Sequence, residues 1–245
     1  MSSDASAVEV AISRISPAPA PPSSYMPSDE LERLASWWQR VGSSAEPQAT
    51  WVTSPGVNVA EGLALAERTI DAGSNLLIAH LPDHDPATAR ALIGVLCHRD
   101  AAAVTFQPAG MTDAQWAVQC ELTRDHIAAW LSMRGEPMEL LKAARDVGIT
   151  AMVGCLLEAA ARRTPVILDG IRVFAAAVVA DRLAPQAGTW WRGASGSPDP
   201  AFTIASERID LESGLPLAIS SSDARAGRAA LALLKEVTEP ASGPI

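Results

Sequence analysis

The sequence predicts an α/β fold: a parallel, Rossmann-like sheet flanked by helices, with a small helical appendage. Three observations carry this. Short apolar runs at residues 75–80, 102–106 and 165–169 are bounded by glycine or proline and have the continuity of strands buried on both faces. Longer segments with helical periodicity separate them, and strands alternating with helices imply parallel pairing. Apolar residues make up 48% of the chain but aromatics only 4%. Such an alanine-rich composition favours closely packed helices over a β-sandwich.

Taken in order, residues 1–24 are rich in Ser, Ala and Pro and are expected to form a flexible tail, or alternatively a docking peptide. A single domain over 25–240 follows, with a short tail at 241–245. Ser28-Asp29-Glu30-Leu31 opens a helix over 28–42, with Ser28 as N-cap and acids in the first turn. Leu31, Leu34, Trp37, Trp38 and Val41 give it an apolar face, which is expected to pack near the C-terminal helix. A short extended piece at Trp51-Val52-Thr53 precedes a helix over 58–71, stopped by Gly73. After the strand at 75–80, Pro86 starts a helix to 98, where its missing N–H costs little. The strand at 102–106 leads to helices over 112–133, 136–146 and 148–163. The strand at 165–169 leads to a helix over 171–183. Residues 215–219 read as a fourth strand, and Asp223 begins a last helix to about Val237. Ligands of such sheets bind at the carboxyl ends of the strands, here the loops after residues 79, 106, 169 and 219.

The net charge of −9 disfavours nucleic-acid binding, because an acidic surface repels phosphate backbones. No basic amphipathic stretch or long apolar run points to a membrane, and the N-terminus lacks the pattern of a signal peptide. Cys97, Cys120 and Cys155 are odd in number, far apart and outside any CxxC, which predicts a reduced, cytoplasmic chain. No cofactor is expected.

The most specific stretch runs from Glu158-Ala-Ala-Ala-Arg-Arg-Thr-Pro-Val-Ile-Leu-Asp-Gly170 through residues 174–185 to Trp190-Trp191. It resembles the nicotinate-nucleotide:dimethylbenzimidazole phosphoribosyltransferases (the CobT family) in their actinobacterial form, most strongly over 145–195. Collinear similarity covers 73–133, including Leu76-Leu-Ile-Ala79 and Asp113-Ala-Gln-Trp-Ala117, and Leu31-Glu-Arg-Leu34 is similar to the family's first helix. Between that helix and residue 73 the chain is shorter than the family pattern. The resemblance implies transfer of phosphoribose from nicotinate mononucleotide to a benzimidazole nitrogen, with a glutamate as general base and a glycine-rich phosphate loop. It also implies a dimer.

Site by site, the sequence departs from these motifs. At the phosphate loop it reads His80-Leu-Pro-Asp-His-Asp-Pro-Ala-Thr88, in which only Thr88 matches. The glycines are gone, Asp83 and Asp85 place negative charge where phosphate would bind, and Pro82 and Pro86 remove N–H donors. Each charge-assisted donor contributes about 1.5–3 kcal/mol, so losing several would reduce nucleotide affinity by orders of magnitude. The catalytic glutamate position falls at Arg225 or Ala226, and neither accepts a proton at neutral pH. Asp223 is the nearest acid, with an N-cap role open to it. The family's His-x-Ser-x-Glu-Pro-Gly-His becomes Ser195-Gly-Ser-Pro-Asp-Pro-Ala-Phe202, keeping Ser197, Asp199 and Pro200 but neither histidine. The family lysine becomes Gln119.

Thr88, Asp169, Gly170, Ser197 and Asp199 are therefore expected to line a remnant ligand pocket, with Asp169-Gly170 as either a structural turn or a ligand contact. His80, Asp83, His84 and Asp85 form either a solvated loop or a small metal site, and the loop reading is preferred, with no metal expected. Trp190 and Trp191 are interface candidates, one of each Trp pair being expected in the core. Helix-packing stretches remain recognisable while polar site residues have changed. That pattern predicts a catalytically degenerate homologue acting by association, as a homodimer or a heteromer with a full-length CobT-family enzyme, its interface including part of 171–192. A small-molecule sensor and a transferase with a rewired site, using Asp199, Asp223 or Asp83 as base, are the alternatives.

Overall fold

His80 pairs with Asp169, and Leu77 with Val166, across two parallel strands at the centre of the molecule. The computed structural model describes residues 2–22, 29–42, 46–82, 86–211 and 223–238. The sheet has four parallel strands in the order β1 (Ala49–Val52), β2 (Leu76–His80), β3 (Val166–Asp169) and β4 (Trp191–Gly193). Strand order follows chain order. Right-handed crossovers then carry the connecting helices to one face of the sheet. These are α3 (Val59–Asp71), α4 (Pro86–Cys97), α5 (Ala101–Val104), α6 (Asp113–Trp130), α7 (Pro137–Ala144), α8 (Val147–Ala161) and α9 (Ile171–Leu183). After β4 comes α10 (Pro200–Arg208), which packs on α4 and α9. The other face is left for α2 (Glu30–Val41) and α11 (Arg225–Thr238), which pack on each other, with α11 against β2 and β3. Asp29 caps α2 by accepting from the Glu32 N–H, and Ser28 lies outside the described residues.

Every residue of β2 and β3 is buried, as their unbroken apolar runs require. Helices α3 and α8 approach closely through Gly62 and Gly154. A Cβ on Gly62 would lie 1.8 Å from the Ala151 carbonyl oxygen, and one on Gly154 2.1 Å from that of Val59. Only glycine fits at either position.

Two expectations fail. Residues 102–106 form no strand. Instead Asp100 accepts from the Ala103 N–H and starts the short helix α5. An alanine run with an Asp cap is a helix signal that outweighs a five-residue apolar window. Nor is the N-terminal segment flexible throughout: Ser2–Arg14 is a helix, α1, with Val8 and Ala11 buried against α8 and α3. The proline-rich residues after it run as a strap over the molecule. The Ser16 carbonyl accepts from Trp190 Nε1 at 2.7 Å, the Ala18 N–H donates to Thr189 Oγ1, and the Pro19 carbonyl accepts from Arg40. The strand expected at 215–219 lies outside the described residues, and the fourth strand is Trp191–Gly193. No described helix is long and apolar enough to cross a membrane.

Candidate functional site

Three polar clusters involve the carboxyl ends of the strands and the helices that begin beside them. At the ends of β2 and β3, His80 Nδ1 sits 3.8 Å from Asp169 Oδ2, with both residues buried. That separation is too long for a hydrogen bond. Asp169 Oδ2 instead accepts the backbone N–H of Gly227 at 2.9 Å. This bond ties the first turns of α11 to the end of β3. Gly170, at φ 100°, then turns the chain into α9.

Arg172, in the first turn of α9, forms the second cluster. Its guanidinium donates to Asp146 through Nη2 at 2.6 Å and Nε at 3.2 Å, and to the Pro82 carbonyl through Nη1 at 2.6 Å. Asp146 also caps α8 by accepting from the Ile149 N–H. Pro82 lies within the stretch where the resemblance places a phosphate loop, so an arginine there is held by the chain's own carboxylate and carbonyl.

The third cluster joins α4 to α10. Arg90 Nη2 donates to Asp199 Oδ2 at 2.8 Å, in a buried ion pair. Asp199 Oδ1 accepts from the Ala201 N–H and caps α10, while Ser197 Oγ accepts from the Asp199 N–H. Thr88 is buried, two residues before Arg90 in the same helix. Beside this cluster lies a cleft of about 390 Å³, lined by Phe174, Ser195, Ser197, Phe202, Ser206 and Glu207. Two buried nitrogens, His80 Nδ1 and Arg90 Nε, have no hydrogen-bond partner among the described residues.

The five expected pocket residues are thus split: Asp169 and Gly170 belong to the first cluster, Ser197 and Asp199 to the third, and Thr88 to the helix that carries Arg90. Arg90, Arg172 and Asp146 were not anticipated. The signal for the two arginines was a charged residue inside an otherwise apolar helical run, at Ala89-Arg90-Ala91 and Ile171-Arg172-Val173. The base position offers no acid: Arg225 is exposed and bonded to Asp223, and Ala226 is buried. Asp83, His84 and Asp85 lie outside the described residues, among which no group of three potential metal ligands occurs.

Trp190 and Trp191 do not present rings to a partner. They are 4% and 3% exposed, and Trp190 is fixed by the N-terminal strap. Residues 171–181 are likewise buried within the chain, and the exposed part of the expected 171–192 stretch is Arg182, Pro185, Gln186 and Thr189. Carboxyls pushed upward by burial lie elsewhere: Glu158 near the end of α8, beside Arg14, and Asp181 in α9, 3.2 Å from Arg208. Burial also pushes the Cys155 thiol up to about 12 and Cys97 to about 11, which makes both poor nucleophiles.

Residues 57–241 match a family model described as phosphoribosyltransferase. The chain is 33% identical over 175 residues to the nicotinate-nucleotide–dimethylbenzimidazole phosphoribosyltransferase of Mycobacterium leprae, covering 71% of this chain and 50% of the relative. The Streptomyces avermitilis enzyme of that name is 37% identical over 153 residues, 62% of this chain and 41% of its own. The crystal structure of CobT from Thermus thermophilus superposes with a TM-score of 0.62 at 24% identity, covering 74% of this chain and 54% of that one. This likeness shows the shared α/β fold. The chain spans about half the length of the curated relatives it matches. With the family model matching well over half of its residues, the chain belongs to the CobT family of phosphoribosyltransferases.

Proposed function

We propose that this chain is a catalytically degenerate member of the family, tied to cobalamin lower-ligand activation by descent and acting through association rather than by phosphoribosyl transfer. One observation carries the reading: the polar side chains at the strand ends bond to the chain itself. Arg172 holds Asp146 and Pro82, Arg90 holds Asp199, and Asp169 holds Gly227. A transferase needs such groups aimed at the reacting atoms. Of the acids that a rewired site would draw on, Asp199 is committed to Arg90 and a helix cap and Asp223 to Arg225, while Asp83 lies outside the described residues.

Association then needs a different surface from the buried Trp190-Trp191 pair. Helix α6 supplies one. Of its 18 residues only Thr123 and Trp130 are buried, while Val118 and Leu122 are 53% and 47% exposed. Exposed apolar residues grouped in this way mark interaction surfaces. The partner is a second copy or a full-length family enzyme, met in the cytoplasm, where the three free thiols stay reduced.

A second reading, a small-molecule sensor, is favoured by the 390 Å³ cleft and the unpartnered His80 Nδ1 and Arg90 Nε. Calorimetric titration with dimethylbenzimidazole separates the two. No saturable heat is expected of a chain that only associates. Saturable binding without turnover would favour the sensor.

A further inference from the structure

Helix α6 is apolar outside as well as inside. Inward, Trp130 is buried and Trp116 and Ile127 are half-buried. Outward it exposes Ala114, Ala117, Val118, Leu122, Ala128 and Ala129. The outer face of a surface helix is normally polar, and a helix that is apolar all round is normally covered. Beside this face lies a cleft of about 540 Å³ between α6 and the start of α5, lined by Ala101, Ala102 and Trp116 together with the charged Asp100, Glu121 and Arg124. The Trp116 ring is held in place, because its Nε1 donates to the Thr105 carbonyl at 2.9 Å. A fixed, half-exposed indole is a common anchor of protein interfaces.

The charges of the outer face indicate what covers it. Glu121, Arg124 and Asp125 stand at the middle of the helix, all exposed. Suppose that a second copy lays its own α6 antiparallel on this one, about a two-fold axis that passes between Leu122 and Thr123. Glu121 of each copy then faces Arg124 of the other, so the complementary pair is made twice. In the same register Ala117 comes opposite Ala128, where small residues let two helices approach to about 8 Å. Ala114 comes opposite Leu131, which lies just past the helix and is 48% exposed. Neighbouring registers are repelled. An axis at Glu121 sets that carboxylate against itself, and an axis at Thr123 sets Glu121 against Asp125. Within one copy Arg124 is 3.9 Å from Glu121 and 2.9 Å from Asp125. Such exposed pairs contribute little, so turning Arg124 toward a second copy costs little.

We propose that two copies of this chain meet face to face on α6, antiparallel, with Glu121 of each bonded to Arg124 of the other. This rests on the association reading above and names its partner as a second copy. The 18 residues of α6 give about 27 Å of contact along the pair. The cleft beside Trp116 lies along the same face and receives side chains of the opposing helix.

The test is light scattering of the full chain at tens of micromolar. The wild-type chain should be a dimer. Glu121→Arg and Arg124→Glu each set like charges against one another, and each alone should weaken the dimer at least tenfold and scatter as a monomer. Mixed in equal amounts, the two variants should recover the dimer, because each offers the charge that the other needs. Circular dichroism and a Tm near that of wild type check that both variants fold, as expected for exposed positions. A wild-type monomer, single variants that stay dimeric, or a mixture of folded variants that stays monomeric would overturn the proposal. A dimer indifferent to both variants would reject α6 while leaving association standing. So would a wild-type monomer that gains mass only with a full-length family enzyme.

Discussion

The backbone N–H of Gly227 donates to the buried carboxylate of Asp169 at 2.9 Å and so fastens α11 to the end of β3. The contact leaves no room for a side chain. A Cβ at 227 would fall 2.9 Å from Ile78 Cγ2 and 3.1 Å from Asp169 Oδ2. Gly227→Ala is therefore expected to destabilise the fold by about 1–3 kcal/mol, the usual cost of overpacking. Asp169→Ala leaves a buried N–H unpaired, at a similar cost of about 1–3 kcal/mol. Urea denaturation reads both. Wild-type stability in the two variants would mean that Asp169 is not the anchor of α11.

The N-terminal strap should contribute to stability. Deleting residues 1–22 removes the buried Val8 and Ala11 contacts and the Ser16–Trp190 bond. Burying one such aliphatic side chain is worth about 1.5–3 kcal/mol, so a fall in Tm of several degrees is expected. Trp190→Phe alone should cost about 1 kcal/mol through the lost hydrogen bond. A truncated chain melting with the intact one would return the segment to the flexible tail that its composition suggests.

Glu158 gives a pH signature. Burial raises its carboxyl pKa, and Arg14 opposes that only in part. A folded-state pKa above the unfolded one means that the folded chain prefers the protonated acid. The associated stability is present below the unfolded pKa and is lost as pH rises through the folded value. Glu158→Gln should therefore flatten the dependence of Tm on pH above the usual glutamate range, and should melt no lower than wild type at pH 7. Melting curves across pH 4–8 measure this. A variant whose Tm falls only at neutral pH would show instead that the Arg14 ion pair dominates.

If association uses α6, Leu122→Glu should convert an oligomer to a monomer in light scattering. It should change unfolding free energy by no more than about 0.5 kcal/mol, because the side chain is largely exposed. An unchanged mass would remove α6 from the interface.

Much of the core was legible in the sequence. The runs 76–79 and 166–168 are strands because continuous apolar residues suit a sheet covered on both faces, and each ends on a buried polar residue, His80 or Asp169. The 102–106 window has the same apolarity and is a helix in part, since hydrophobicity over five residues carries no period to separate the two. The N-terminal helix escaped because Val8 and Ala11 are its only fully buried side chains among those described, too few to stand out in a Ser- and Ala-rich segment. Asp169 could be singled out from the resemblance, but its bond to Gly227 spans 58 residues, and that of Arg90 to Asp199 spans 109. Pairings at such separations are set by the topology of the sheet, which the local sequence does not encode.

Under the proposed function the chain does not transfer phosphoribose. The most direct test is chromatographic: the purified full chain is incubated with nicotinate mononucleotide and dimethylbenzimidazole, and the riboside phosphate is quantified against a no-enzyme control. The strand-end ion pairs and the exposed Arg225 at the base position predict no product above the control. Enzyme-dependent product that saturates with both substrates, and that Asp223→Ala abolishes, would contradict the account and identify Asp223 as the substitute base.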